Sequence, residues 1–174
     1  MRGLGPRVVL YLLPCVLPAQ ETRRSQHGSV TQRVATTEIA ISYNRPVARG
    51  RDIFGGIIPW GRIWHPGADS ATTISFSTGV TLDGHPIAAG RYTLWTIPEE
   101  APKPWTMIVS RAVNIWHTPY PGEPLDLVRF RVTPETGSHM ETLAYYFPMV
   151  DADSAVLRLH WGTMVVPMRI RTRE

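Results

Sequence analysis

Three side chains in two loops have the chemistry of a metal or acid–base site. His65 and Asp69 lie in the segment IWHPGAD, and His117 lies in the similar segment NIWHTPY. Imidazole and carboxylate groups are common metal ligands, so these residues predict a metal-assisted hydrolytic site if the two loops meet. The alternative is that both histidines are ordinary loop residues, because no histidine pair has the i, i+2 or i, i+4 spacing of a metal site on one element.

Other catalytic motifs are missing from the sequence. It contains no Gly-x-Ser-x-Gly elbow and no His-Glu-x-x-His motif, and its single cysteine is Cys15. The pair Gly55-Gly56 is not followed by Gly-Lys-Ser/Thr, which excludes a phosphate-binding loop. The sequence therefore favours a non-enzymatic protein with no cofactor.

Aromatic residues are concentrated in two glycine- and proline-rich segments. The segment Arg49–Phe76 holds five glycines together with Trp60 and Trp64, and the segment WHTPYPGEP holds Trp116 and Tyr120. Rings of this kind predict a stacking platform for a small ligand or a carbohydrate. Because proline-rich loops are stiff, Trp116 and Tyr120 are also candidate anchors for a protein partner. The alternative is that the glycines make sharp turns and the tryptophans cover an open end of the fold.

Five arginines occupy positions that alternate with apolar residues and are therefore predicted to face outward. They are Arg129, Arg131, Arg158, Arg169 and Arg171. On one sheet they would form a basic docking face for an acidic partner or for anionic lipid headgroups. The alternative is a soluble outer surface on which charges oppose aggregation at strand edges.

These residues are positioned by strands, because apolar residues recur with period two through most of the chain. About eight or nine short strands separated by turn signals predict a single antiparallel β-sandwich, with jelly-roll and immunoglobulin-like topologies both open. Asp83-Gly84 predicts a tight hairpin. The last two strands are predicted to meet near Gly162, and Pro167 indicates an edge or a bulge. The preceding strand has Leu143, Tyr145, Phe147 and Met149 on one face, and the next has Leu157, Leu159 and Trp161 inward, with His160 predicted to face outward.

The N-terminus has the pattern of an export signal. Residues 1–19 combine Arg2 and Arg7 with a short apolar run and a small residue at position 19, which predicts a signal peptide. A lipid anchor on Cys15 is the alternative. Residues 20–31 are polar and predict a tether, leaving residues 32–174 as the domain. This arrangement predicts a periplasmic protein or one at the extracytoplasmic membrane surface. Loss of the signal lowers the formal charge from +4 to +2, which argues against nucleic acid as a partner.

Three consecutive segments carry a family resemblance: YNRPVARGRDIFGG, PWGRIWHPGADSATTISFS and LDGHPIAAGRYTLWTIP. They resemble the domain-of-unknown-function family 2911, an exported bacterial group, from about Ile39 to Ile170. The matching positions are Arg45-Pro46, Gly50-Arg51, Ile53-Phe54-Gly55, Pro59, Gly61, Trp64, Gly67-Ala68, Ala71-Thr72, Gly90 and Tyr92. The resemblance implies an exported all-β domain and supplies no catalytic residue. Members often have a basic and a polar residue after the tryptophan, whereas His65-Pro66 follow Trp64 here.

Three functions are consistent with these observations. The first is a non-enzymatic exported interaction module, such as an extrinsic accessory subunit of a photosynthetic or respiratory membrane complex, or a partner of another envelope protein. The second is a small-ligand or carbohydrate-binding domain. The third is a metal-assisted hydrolase.

Overall fold

The structure, a computed structural model, describes residues 25–116 and 118–173 as two antiparallel β-sheets that pack face to face. The ten strands are β1 Gln26–Val34, β2 Thr37–Arg45, β3 Thr73–Phe76, β4 Val80–Leu82, β5 His85–Ile87, β6 Gly90–Ile97, β7 Trp105–Ser110, β8 Asp126–Val132, β9 Glu135–Val150 and β10 Ser154–Thr172. A 3₁₀ turn, Glu123–Leu125, precedes β8. The predicted all-β sandwich is thus confirmed. No helix in the described ranges has the length and hydropathy to cross a membrane.

The larger sheet is an interrupted meander. Its strand order is β1-β2-β3-β6-β7-β8, and the smaller sheet has the order β5-β4-β10-β9. The β4–β5 hairpin leaves the large sheet after β3 and joins the small one. In the large sheet, strands that follow one another in the chain are mostly also neighbours in space. This strand order matches neither the immunoglobulin-like nor the jelly-roll topology that the sequence left open.

Alternating apolar residues form one core between the sheets. β2 contributes Ile39 and Ile41, β3 contributes Ile74, and β10 contributes Leu157 and Trp161, all of which are at most 2% exposed. Burial of each such side chain stabilises the fold by roughly 1.5–3 kcal/mol. The period-two pattern of the sequence therefore identifies the inner faces of both sheets.

β10 is one strand of 19 residues, although the sequence predicted two strands meeting near Gly162. Gly162 has φ +58°, and the β9–β10 register shifts on both sides of it. This bulge bends the strand without ending it. Pro167 lies between Val165, which pairs with β9, and Ile170, which pairs with β4, so its missing N–H removes no bond from either ladder.

His160 is buried, so the prediction that it faces outward is wrong. It is 4% exposed, and its Nε2 donates to the backbone oxygen of Ser138 at 2.9 Å. The Tyr146 hydroxyl lies 3.3 Å from Nδ1. β9 covers the ring at Gly137, where a Cβ atom would lie 3.3 Å from the imidazole. The apolar alternation along β10 cannot reveal this cover, because it depends on a glycine in the neighbouring strand β9.

Two other predictions fail at the ends of elements. Met149 was expected to face inward, but it pairs with Val156 beyond a register shift and is 61% exposed. The shift inserts an extra β9 residue and reverses which face points inward. The predicted tether, residues 20–31, is strand from Gln26 onward, because β1 pairs along its whole length with β2. The predicted signal peptide, residues 1–19, lies outside the described residues.

Two loops form a third layer on the outer face of the large sheet. Trp95 and Ile108 point outward from β6 and β7 and pack with Ala71 in a small second core. The segment before β3 reaches this layer through a bridge between Trp64 and Thr96. It meets the loop after β7 through a bridge between Ser70 and Trp116. The loops that carry the predicted functional residues are therefore fixed to the sheet.

Candidate functional site

The glycine- and tryptophan-rich segment, residues 51–64 and called here the Gly/Trp loop, is a compact turn held by its own backbone. The amide of Ile57 donates to the oxygen of Asp52 at 2.9 Å, and the amide of Ile58 donates to the oxygen of Ile53 at 2.8 Å. At Gly56, a Cβ atom would lie 2.3 Å from the Asp52 oxygen. Glycine is required there by close backbone approach, which agrees with the alternative in which the glycines of this segment make sharp turns.

Phe54 docks the Gly/Trp loop on the core. Its ring centroid lies 4.8 Å from that of Trp105, 5.9 Å from Trp60, 6.0 Å from Trp64 and 6.2 Å from Trp161. Edge-on and offset ring pairs at these distances are favourable. The loop tryptophans therefore pack on the two core tryptophans and cover one end of the sandwich.

A cleft of about 490 Å³ opens between the Gly/Trp loop, β9 and the bulge of β10; we call it the Gly/Trp cleft. Its apolar wall comes from Ile53, Phe54, Trp60 and Met164, and its polar lining comes from Arg51, Asp52, His139 and Thr163. This volume falls within the usual range of about 300–1,000 Å³ for small-molecule sites.

Arg51 is held in place at the rim of this cleft. Its Nε donates to the oxygen of Ala48 at 2.8 Å and its Nη2 to the oxygen of Val47 at 3.0 Å. A guanidinium has five N–H donors, so three are left over from these two bonds. A group fixed before binding loses little entropy when a ligand arrives.

His139 and Glu141 form an exposed pair beside the same cleft. His139 Nε2 lies 3.1 Å from the Glu141 carboxylate, which also accepts a hydrogen bond from the backbone amide of Arg49. The bond from His139 first, and then the bond from the Arg49 amide, lower the pKa of Glu141 below its ordinary value of 4.5. The carboxylate is therefore ionised at neutral pH.

The predicted metal site is assembled only in part. His65, Asp69 and Trp64 line a separate cavity of about 340 Å³ together with Thr118, and His117 lies outside the described residues. His65 is 3% exposed, and its ring packs edge-on against Trp95 at 5.9 Å. Within residues 25–116 and 118–173, no group of three metal-ligating side chains comes together. The histidine on the first loop is a buried residue of the outer layer.

The five arginines do not form one basic face. Arg129 and Arg131 are on β8 in the large sheet, whereas Arg158, Arg169 and Arg171 are on β10 in the small sheet. Three of them also make ion pairs within the chain: Arg129 with Asp126 at 2.6 Å, Arg158 with Glu135 at 2.7 Å and Arg171 with Asp153 at 2.7 Å. The strand order separates these residues, so the condition that one sheet carries all five is not met.

Tyr120 is hydrogen-bonded to Asp126 and Arg129 and does not present its ring as an open stacking surface. Its hydroxyl donates to Asp126 Oδ1 and accepts from Arg129 Nη2 at 3.0 Å, and its ring packs edge-on against Trp95 at 5.2 Å. Burial, followed by the hydrogen bond to Asp126, raises the pKa of Tyr120 to about 12. The phenol remains protonated and fastens the loop after β7 to β8.

The four predicted stacking residues are accordingly divided among different places. Trp60 lines the Gly/Trp cleft, Trp64 lines the His65 cavity, and Tyr120 is engaged with Trp95. Trp116 is 53% exposed on the outer layer. A single platform of these four rings does not exist.

Sequence reasoning missed most of the Gly/Trp cleft. Arg51 stood among the family-like positions but had no assigned role, and Asp52 follows it directly. His139 and Thr163 come from strands far along the chain, and no spacing rule joins them to the loop. Only the pairing of β9 with β10 brings them to one place.

The fold and cleft define a class of protein: a two-sheet β-sandwich whose end is closed by an aromatic loop beside a small-molecule-sized cleft. A family model described as a protein of unknown function (DUF2911) matches residues 25–170, and the chain belongs to that family. No curated protein and no solved structure matches the chain.

Proposed function

We propose that the chain is an exported, non-enzymatic binding domain and that its ligand is a small molecule held in the Gly/Trp cleft. The observation that carries this proposal is that Arg51, whose guanidinium is fixed by two backbone oxygens, lines the same cleft as the aromatic rings of Phe54 and Trp60. Such a site suits a planar ring that carries a carboxylate or phosphate group, since guanidinium binds these anions in a bidentate manner. Export is supported by the signal-like residues 1–19.

The test is a screen of aromatic and heteroaromatic carboxylates and phosphates by tryptophan fluorescence, followed by calorimetry. Trp60→Leu and Arg51→Gln are each expected to weaken binding about ten-fold, in line with the ~1–3 kcal/mol of a desolvated ring or charged hydrogen bond. Arg33→Gln is the matched control, because Arg33 lies on β1 in an exposed, loose ion pair with Glu38 at 3.9 Å. A silent screen, or ligands that bind both cleft variants as tightly as the wild type, would overturn the proposal.

An extrinsic subunit of a membrane complex is the competing proposal. The strand order puts the five arginines on two different sheets, so they do not support this proposal as one basic face. The exposed ring of Trp116 still supports it. Solubilisation of native membranes in mild detergent, followed by size separation and mass spectrometry, distinguishes the two. Stoichiometric migration with a large assembly favours the subunit, and migration alone favours the ligand-binding domain.

A further inference from the structure

A row of hydroxyl side chains crosses the outer face of the large sheet. Direct cross-strand partners share one face of a sheet, and here five of them are serine or threonine. The row runs through Ser29, Ser42, Thr73, Thr93 and Ser110, on β1, β2, β3, β6 and β7. The outer loops cover its β7 end, where Ser110 is buried, and leave Ser42 and Thr73 partly exposed.

The edge of the outer layer turns this surface into a groove. Two neighbouring depressions, of about 360 and 310 Å³, share Ser70, Ala71, Thr73 and Arg91 and are therefore continuous. Trp116 lines the first of them, and its side chain is 53% exposed. The other lining residues are His27, Ser42, Asn44, Thr93, Asn114 and Ile115. Each depression lies near the lower end of the ~300–1,000 Å³ range of ligand sites.

The described part of the groove carries a positive charge from Arg91. Arg91 is exposed in its shared part, and among the described residues no aspartate or glutamate lines either depression. Within the described residues, Arg91 makes no ion pair, in contrast to Arg129, Arg158 and Arg171. Its guanidinium is therefore available to an anionic ligand.

We propose that this groove binds an oligosaccharide that carries carboxylate groups. The apolar face of a sugar ring stacks on the exposed indole of Trp116, and sugar hydroxyls exchange hydrogen bonds with Ser42, Thr73 and Asn114. A uronate carboxylate pairs with both terminal nitrogens of Arg91. This site is separate from the Gly/Trp cleft and does not depend on the function proposed for it.

A single-stranded nucleic acid would also bring anionic groups and flat rings. Sequence-independent binding of that kind depends on several cationic contacts to successive phosphates and on a series of stacking rings. Among the described residues that line it, the groove offers one arginine and one exposed tryptophan. An acidic oligosaccharide fits this sparse charge better.

The experiment is calorimetric titration of the full chain with tetrasaccharides of galacturonate, mannuronate and hyaluronan, each compared with its methyl ester. We expect at least one acid form to bind and its ester to bind about ten-fold more weakly. Arg91→Gln should remove this difference between acid and ester, and Trp116→Ala should weaken both forms about ten-fold. Leu125→Ala, at a residue that is 43% exposed and outside the groove, is the control and should bind as the wild type does.

Three outcomes would overturn the proposal. The first is that none of the three acidic oligosaccharides binds. The second is that Arg91→Gln and Trp116→Ala both bind as tightly as the wild type. The third is that a single-stranded oligonucleotide binds more tightly and displaces the sugar. Because both substitutions are at exposed positions, unchanged far-UV circular dichroism is expected to show that the variants are folded.

Discussion

At the scale of single residues, the backbone oxygen of Pro66 is the anchor of the loop that carries His65. It accepts a hydrogen bond from the Tyr145 hydroxyl at 2.9 Å and one from Thr72 Oγ1 at 3.0 Å. Burial raises the pKa of Tyr145 well above 10, so the phenol stays protonated and can donate. The backbone amide of Tyr145 in turn donates to the hydroxyl of Tyr43 at 3.0 Å.

We predict that the two donors to Pro66 are strongly coupled. Tyr145→Phe and Thr72→Val should each lower the free energy of unfolding by about 1 kcal/mol, because one donor remains in each variant. The free energy of unfolding of the double variant should fall by about 1–2 kcal/mol more than the sum of the two single effects, because the buried Pro66 carbonyl then has neither donor. Urea unfolding of the four proteins measures this coupling.

Tyr92→Phe is the matched control for that cycle. The Tyr92 hydroxyl donates to the oxygen of Ala88 at 3.1 Å on the surface, so its loss should change the unfolding free energy by less than about 0.5 kcal/mol. Additive effects at Tyr145 and Thr72 would show that another group, such as water, satisfies the Pro66 oxygen.

At the scale of elements, the β4–β5 hairpin is a case in which the sequence was sufficient. Asp83 and Gly84 both have positive φ, at +45° and +83°, which is the conformation that Asp-Gly predicts. Asp83 also accepts a hydrogen bond from the backbone amide of Arg169 at 3.3 Å, which ties the turn to β10. Burial nevertheless raises the pKa of Asp83 above 3.8, because that effect exceeds the opposing bond and charge of Arg169.

A raised pKa means that the folded state favours the protonated acid. The contribution of Asp83 to stability is therefore fully present below pH 3.8 and is lost as the pH rises through the folded pKa. Asp83→Asn keeps an oxygen acceptor, tolerates positive φ and carries no charge. We expect this variant to be more stable than the wild type at pH 7, with a smaller advantage at pH 3.

Urea midpoints at the two pH values test this prediction for the hairpin. A variant that is less stable at both values would show that ionised Asp83 is net favourable through Arg169. Glu38→Gln is the control, because its carboxylate lies in an exposed pair at 3.9 Å from Arg33 and should give little difference at either pH.

The residues of a strand that point inward were predictable where the strand keeps one register with its neighbours. The prediction failed where the register shifts. Ile39 and Ile41 keep one register with β1 and β3, and both lie in the core as their period-two spacing indicates. Met149 lies beyond a register shift between β9 and β10, where the count of residues differs between partners. A bulge depends on both strands, so alternation along one strand does not reveal it.

At the scale of the whole molecule, both sheets and the Gly/Trp loop share one core. Trp105 of the large sheet and Trp161 of the small sheet both contact Phe54 of that loop. We predict one cooperative unfolding transition, in which tryptophan fluorescence and far-UV circular dichroism give the same urea midpoint. A separate, earlier fluorescence transition would show that the loop detaches from an intact sandwich.

The candidate sites belong to this scale, and that is why the sequence predicted them poorly. The five arginines were correctly expected on strands, but grouping them required the strand order. The oligosaccharide groove likewise depends on register, since Ser42, Thr73 and Thr93 are partners only in the assembled sheet. Local patterns supplied the residue types, and long-range pairing decided which of them meet.

The packing of the loop tryptophans also has an optical consequence. Trp64 and Trp161 are stacked with centroids 6.0 Å apart and an interplanar angle of 29°. Indole rings so close together have coupled electronic transitions. The coupled pair absorbs left and right circularly polarised light unequally in the far-UV, a region normally assigned to the peptide backbone. Secondary structure estimated from such a spectrum would include this aromatic contribution, and replacement of Trp64 is expected to change the spectrum even if all strands are retained.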